Sequence, residues 1–145
     1  MPKIYRDFNQ QELDVQYNAQ ATVGDISPFV EAYGEQSALA RSTLTYHKSL
    51  SFGPSPEETL DLFPAGKNAP LLVFVHGGYW RMLSKNESSF MASNFVDQGV
   101  AVAAINYTLS PEATLDQIVA ELRRSIAWLY HNAKDFDYDP DRIFI

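Results

Sequence analysis

"LLVFVHGGYW", residues 71–80, is the stretch on which the reading of this chain turns. Pro70 leads into an unbroken apolar run, Leu71–Val75, of the kind found in a strand buried on both faces of a parallel sheet. The run then gives way to a histidine, two glycines and two large aromatics. Glycines let the backbone turn sharply and approach a ligand closely, and successive N–H groups in such a turn can converge on one negative oxygen. Open parallel sheets bind ligands beyond the carboxyl ends of their strands, which is where His76–Trp80 falls. The pattern is an oxyanion hole in outline. A phosphate cradle is excluded, since neither G-x-x-x-x-G-K-[ST] nor G-x-G-x-x-G occurs.

Working outward, Ser84 and Glu87 have the S-x-x-E spacing of a capping box, and Phe90, Met91, Asn94 and Phe95 are expected to continue that helix to Gly99. Residues 100–107, "VAVAAINY", read as a second buried strand. Thr114 and Gln117 offer another capping box, after which Leu115, Ile118, Val119, Leu122, Ile126, Leu129 and Tyr130 mark one face of a long helix. "FDYDPD" breaks it, and "RIFI" (142–145) begins a third apolar strand. Upstream, residues 45–53 and 58–64 alternate in polarity around the turn-rich "GPSPE", which predicts an antiparallel hairpin. Helical spacing over residues 8–20 and over 27–44 predicts a helical arm (1–44) preceding a sheet core (45–145) of one domain. The order β-β, then β-α-β-α-β, predicts an α/β fold with a mostly parallel sheet and helices on both faces. A short apolar strand at 142–145 would present an unpaired edge, so the fold is expected to continue past Ile145.

The composition narrows the function classes. The chain has 145 residues, a formal charge of −7 and no basic block, so nucleic acid and anionic membrane surfaces are not expected partners. With no cysteine there are no disulfides, thiolate metal sites or cysteine nucleophiles, which is compatible with a cytoplasmic location. The polar N-terminus lacks the apolar region of a signal peptide, and no apolar run has the length of a membrane span.

Taken together, "HGGYW" after one strand, "NYTLSPE" (106–112) after the next, "DPDRIFI" (139–145), "QYN" (16–18) and "ETLDLFP" (58–64) resemble the arylformamidase, or kynurenine formamidase, branch of the α/β-hydrolase superfamily. Esterases similar to hormone-sensitive lipase carry a related H-G-G-G turn. The resemblance implies an α/β-hydrolase fold in which the N–H groups of Gly78 and Tyr79 form the oxyanion hole. It also implies a serine on a G-x-S-x-G elbow just after the strand that corresponds to "RIFI", with the acid and the histidine base later still. None of the seven glycines frames such an elbow. The triad is therefore expected outside these residues, in a C-terminal half of the same fold. The implied activity is hydrolysis of an aryl formamide such as N-formyl-kynurenine, or of a short-chain ester, without metal or organic cofactor. The substrate is a small acyl compound, and homo-oligomerisation is left open. A general carboxylesterase is the alternative enzyme, and a catalytically dead binding module is the alternative of another class.

Each candidate has a plainer reading. His76 is read as a structural residue that holds the turn, because the base of this fold follows the serine. Gly77 and Gly78 could merely end a strand, although the flanking motifs favour the oxyanion role. Gly77, Tyr79 and Trp80 are expected to bind substrate, while the two aromatic side chains could equally be core. His47 and His131 lack a partner at metal-ligand spacing. Asp61, Asp139 and Asp141 fit register and capping better than a triad, Ser84 fits an N-cap, and Glu121 with Arg124 or Ser125 reads as a solvated face.

Overall fold

A computed structural model describes residues 2–145. The chain divides into two compact units at Ala32/Tyr33.

The N-terminal unit is organised by its polar side chains. Helix α1 (Gln10–Tyr17) is opened by Asn9, whose Oδ1 accepts from Glu12 N at 3.0 Å while Glu12 Oε2 accepts from Asn9 N at 2.7 Å. This reciprocal capping box satisfies two of the orphan donors at the helix start. No residue of α1 or of the 3₁₀ turn Ala19–Thr22 is buried. Asp25 then caps the start of α2 (Ser27–Thr43), accepting from Ser27 N at 2.9 Å.

The second unit holds a five-stranded mixed sheet in the order β1-β2-β4-β3-β5. Strands β1 (His47–Ser51) and β2 (Thr59–Phe63) form the expected antiparallel hairpin, and β2 runs antiparallel to β4 (Ala101–Ile105). Strand β3 (Ala69–Val75) lies parallel to both β4 and β5 (Tyr138–Phe144). The path from β3 to β4 and the path from β4 back over β3 to β5 run in opposite directions across the sheet. Crossovers of one hand then put their helices on opposite faces. Helix α4 (Leu115–Asn132) covers Leu60, Leu62, Leu71, Val73, Ala103 and Ile105, packing Leu122, Ile126 and Leu129 against them. The other face carries Phe63 and Val102 against Ala40 of α2 and Ala92 of the short helix α3 (Ala92–Val96).

Three local expectations are corrected. The helix foreseen from Ser84 to Gly99 is a 3₁₀ turn (Lys85–Glu87) followed by the five-residue α3. Ser84 Oγ accepts from Asn86 N and donates to the Glu87 carboxylate. The Ser88 and Ser89 hydroxyls bond back to the Ser84 and Lys85 carbonyls, respectively. Side chains thus compete with the helical ladder and shorten it. On α4, Leu115, Val119 and Tyr130 are exposed, and the buried stripe runs through Ile118, Glu121, Ser125 and Leu129. Glu121 and Ser125 are therefore not on a solvated face. Glu121 Oε2 accepts from Thr108 N at 2.8 Å, and Arg124 reaches the buried Glu58 carboxylate at 2.6 Å. Lastly, β5 starts at Tyr138 rather than Arg142, because Asp137 turns the chain with φ 62° and the Tyr138 hydroxyl is anchored on the Leu129 carbonyl.

Candidate active site

Parallel pairing brings two loops together. The register Val75↔Ile105 ends β3 and β4 side by side, so the loop that starts at His76 emerges next to the loop that starts at Asn106. The second loop grips the first at three places. Tyr107 donates its hydroxyl to the His76 carbonyl at 3.0 Å, Ser110 N donates to the Trp80 carbonyl at 2.8 Å, and Asn106 Oδ1 accepts from Lys85 N at 3.3 Å. Asn106 is itself held through Nδ2, which donates to Glu57 at 2.7 Å.

Within the gripped turn the backbone is left-handed over consecutive residues: Gly78 has φ 105°, Tyr79 φ 56° and Trp80 φ 59°. For the two aromatics this costs about 1–2 kcal/mol each, and strain of this sort persists only where surrounding contacts over-determine it. The two glycines are not equivalent. A Cβ on Gly78 would lie 2.0 Å from the Met82 carbonyl oxygen, whereas a Cβ on Gly77 would meet nothing within 4 Å. Gly78 is thus required by both φ and space, and Gly77 leaves an open, exposed surface.

A trans peptide plane carries a carbonyl and the following N–H in opposite directions, so fixing one aims the other. His76 Nδ1 bonds the Gly77 carbonyl at 2.8 Å, which fixes the plane bearing Gly78 N–H. Arg81 N donates to the Gly78 carbonyl at 3.0 Å, which fixes the plane bearing Tyr79 N–H. Neither of those two N–H groups has a hydrogen-bond partner among the described residues. Two neighbouring donors are thereby held in place and left unused.

His76 is buried, with its ring stacked on Tyr107 at 4.2 Å between centroids and 8° between planes. A carbonyl can only accept, so Nδ1 carries the proton, and Nε2 is a buried acceptor without a partner among the described residues. Burial pushes the imidazole below its ordinary pKa, against the opposing influence of the Gly77 carbonyl and of Glu87. It is a neutral strut at the turn. The Tyr79 and Trp80 side chains are 72% and 45% exposed, which removes both from the core of this chain. A cavity of about 280 Å³ is lined by Leu83 and Ser84, by Asn106–Leu109 of the loop after β4, and by Glu57 and Glu112.

Residues 60–145, more than half of the chain, match the family model described as BD-FAE. The chain belongs to the BD-FAE family. The match begins in β2 and takes in the turn, both gripping loops and β5. Among curated relatives, a kynurenine formamidase of Salmo salar is 33% identical over 131 residues, which are 84% of this chain and 45% of that protein. Esterase LipQ of Mycobacterium tuberculosis is 35% identical over 104 residues, 66% of this chain and 24% of that protein. A crystal structure of a putative thioesterase from Silicibacter sp. TM1040 superposes with a TM-score of 0.77 at 30% identity, covering 87% of this chain and 48% of the other. The fold is that of the α/β hydrolases. The chain spans about half the length of the curated formamidases it matches.

In this BD-FAE member the remaining candidates fall away from the turn. Asp61 is buried on β2 and paired with Lys85 Nζ at 2.7 Å, with Ser49 N donating to the same carboxylate oxygen at 2.8 Å. That is a structural ion pair stapling the 3₁₀ turn to the sheet. Asp139 pairs with Arg142 at 2.8 Å near the N-terminal end of β3, at the opposite end of that strand from His76. Its carboxyl lies below the usual range because of Arg142 and the Asp141 N–H. Asp141 is exposed, as are His47, set edge-on to Phe136, and His131. Ser84 works as a cap. No metal-binding cluster occurs among the described residues, and none of their helices is long and apolar enough to cross a membrane. A larger depression of about 520 Å³ on the outer face of α4, lined by Asp116, Val119, Arg123 and Arg124, is shallow and holds no nucleophile. The residues that sequence reasoning missed as parts of the site are Asn106, Tyr107 and Ser110. They lie in "NYTLSPE" (106–112), which the sequence marks by resemblance and as the segment after a buried strand, not by contacts with the turn.

Proposed function

We propose that this chain supplies the oxyanion hole of a serine hydrolase that cleaves an aryl formamide such as N-formyl-kynurenine, or a short-chain ester. The observation that carries the reading is the pair of unused N–H groups on Gly78 and Tyr79, each aimed through its own pinned carbonyl. Similarity to kynurenine formamidases supports the formamide substrate, and similarity to esterase LipQ supports the ester. In the proposed reaction a serine from the C-terminal half of the fold attacks the acyl carbon and a histidine from that half takes its proton. The carbonyl oxygen then becomes an oxyanion facing Gly78 and Tyr79 N–H, and the histidine returns the proton to the departing amine or alcohol. Water activated by the same histidine then cleaves the acyl–serine ester, releasing the acid and freeing the serine. The exposed Gly77 surface and the Tyr79 and Trp80 side chains bound a short acyl slot. No step calls for a metal or an organic cofactor. The proposed setting is the cytoplasm.

The test is a donor deletion in the full-length hydrolase. Replacing Tyr79 by its α-hydroxy acid, a backbone ester, removes that N–H and keeps the side chain and the left-handed φ of 56°, a conformation that proline with its φ near about −65° could not adopt. We expect the ester variant to lose roughly 10²- to 10³-fold in kcat relative to wild type, with both proteins folded by circular dichroism. Equal kcat values would reduce the turn to a strand ending. On the wild type, formyl and acetyl substrates are expected to exceed octanoyl esters in kcat/KM. Preference for the long chain would favour a general carboxylesterase, and no turnover with no labelling by a fluorophosphonate would favour a binding module.

A further inference from the structure

Tyr107 touches His76 at both ends. Its ring lies flat on the imidazole at 4.2 Å and 8°, and its hydroxyl donates to the carbonyl of the same residue at 3.0 Å. The first contact sets the plane of the imidazole, since rotation about the side chain would break the stack. The second sets the peptide plane where the turn leaves β3. The imidazole in turn holds the Gly77 carbonyl at 2.8 Å, and that carbonyl shares its plane with Gly78 N–H. Tyr107 is itself immobile: it is buried, and it packs in a cluster with Ala113 and Ile118, against which Val75, Leu109 and Leu122 also pack.

We propose that Tyr107 is a positioning residue for the oxyanion hole, transmitting the rigidity of the α4 core through His76 to the direction of Gly78 N–H. The inference rests on the oxyanion reading of Gly78 and Tyr79. Its physical basis is that an oxyanion donor stabilises charge in proportion to how little it must reorient as the charge develops. A tyrosine that merely filled space would act on stability and leave the transition state alone.

Tyr107→Phe separates the two, because it deletes the hydroxyl and keeps the stack. In the full-length hydrolase we expect kcat to fall roughly 5- to 10-fold, the usual scale for one lost hydrogen bond, with KM within about two-fold. Affinity for an aryl boronate, whose tetrahedral adduct places an oxygen in the hole, should fall by the same factor, and affinity for the carboxylate product should not. Tyr107→Leu, which also loses the stack, should fall further. A Tyr107→Phe enzyme with kcat and boronate affinity within about two-fold of wild type would overturn the proposal if the Tyr79 backbone-ester variant remained crippled relative to wild type. If the Tyr79 ester variant matched the wild type, the oxyanion reading itself would be the failure, and the role of Tyr107 would go with it. A parallel rise in KM and loss of product affinity in Tyr107→Phe would mark a general packing defect and would equally overturn the proposal.

Discussion

The loop after β3 and the loop after β4 leave the sheet side by side, yet they are built on opposite principles. Residues 76–80 are strained and under-bonded, with three successive left-handed residues and two unused N–H groups. Residues 106–110 are richly bonded: Asn106 to Thr59, Lys85 and Glu57, Tyr107 to His76, Thr108 to Glu121, and Ser110 to Trp80. The lesson is that donors can be left free for a ligand only beside a neighbour that holds them still. An exposed loop would otherwise be free to swing such N–H groups away from one another, and the bonds to the Gly77 and Gly78 carbonyls hold them in place.

The sharpest way to break the first loop is Gly78→Ala. Its Cβ would lie 2.0 Å from the Met82 carbonyl oxygen at φ 105°, so the turn must open. In the hydrolase proposed above, we expect kcat to drop by roughly 10²-fold or more, on the scale of a lost oxyanion donor. Gly77→Ala, with nothing within 4 Å of its Cβ, should fold with stability changed by less than about 1 kcal/mol. Thermal melts and steady-state kinetics on the pair check both expectations, and equal damage from the two would contradict the asymmetry found between them.

Breaking the second loop should act chiefly on stability. Asn106→Ala strips the acceptor from Lys85 N in a buried setting and should cost about 1–3 kcal/mol by urea unfolding. Among folded molecules its kcat should suffer less than that of Gly78→Ala, since Tyr107 and Ser110 still grip the turn. A larger kcat loss than in Gly78→Ala would mean that the two loops are not divided into aimed and supporting parts.

The smallest effect lies in pH dependence. Burial depresses the His76 pKa, so over the window between its folded value and the ordinary 6.5 the unfolded chain binds the proton and the folded one does not. The stability contribution is therefore full above the unfolded value and falls as acidification passes toward the folded one. His76→Asn keeps an N–H near the Gly77 carbonyl and does not titrate, so its unfolding free energy should decline less between pH 7 and pH 5. Parallel pH profiles would show that His76 carries no part of that slope.

Much of this molecule follows from local pattern. Leu71–Val75 and Ala101–Ile105 are apolar runs that only a buried strand accommodates, and the Thr114/Gln117 box starts α4 as its spacing requires. The glycine pair in 76–80 was visible for the same reason, because glycine in that place is a backbone statement. The 84–96 segment was misjudged since S-x-x-E spacing does not report serines that bond backward onto the backbone. Glu121 and Ser125 were misjudged because a polar residue on a helix does not reveal what packs against it, here the Thr108 N–H from which Glu121 accepts.

By itself, then, the sequence determined which runs become strands, where α4 begins, and that a turn with unusual backbone demands follows β3. Only the tertiary structure decided that Gly78 and not Gly77 is sterically obligatory, that Asp61 belongs to Lys85, and that Tyr107 lies on His76. The first group depends on interactions within a few residues, which periodicity and propensity record. The second depends on contacts such as the 31-residue separation of Tyr107 from His76, which exist only once parallel pairing has set β3 beside β4 in one register.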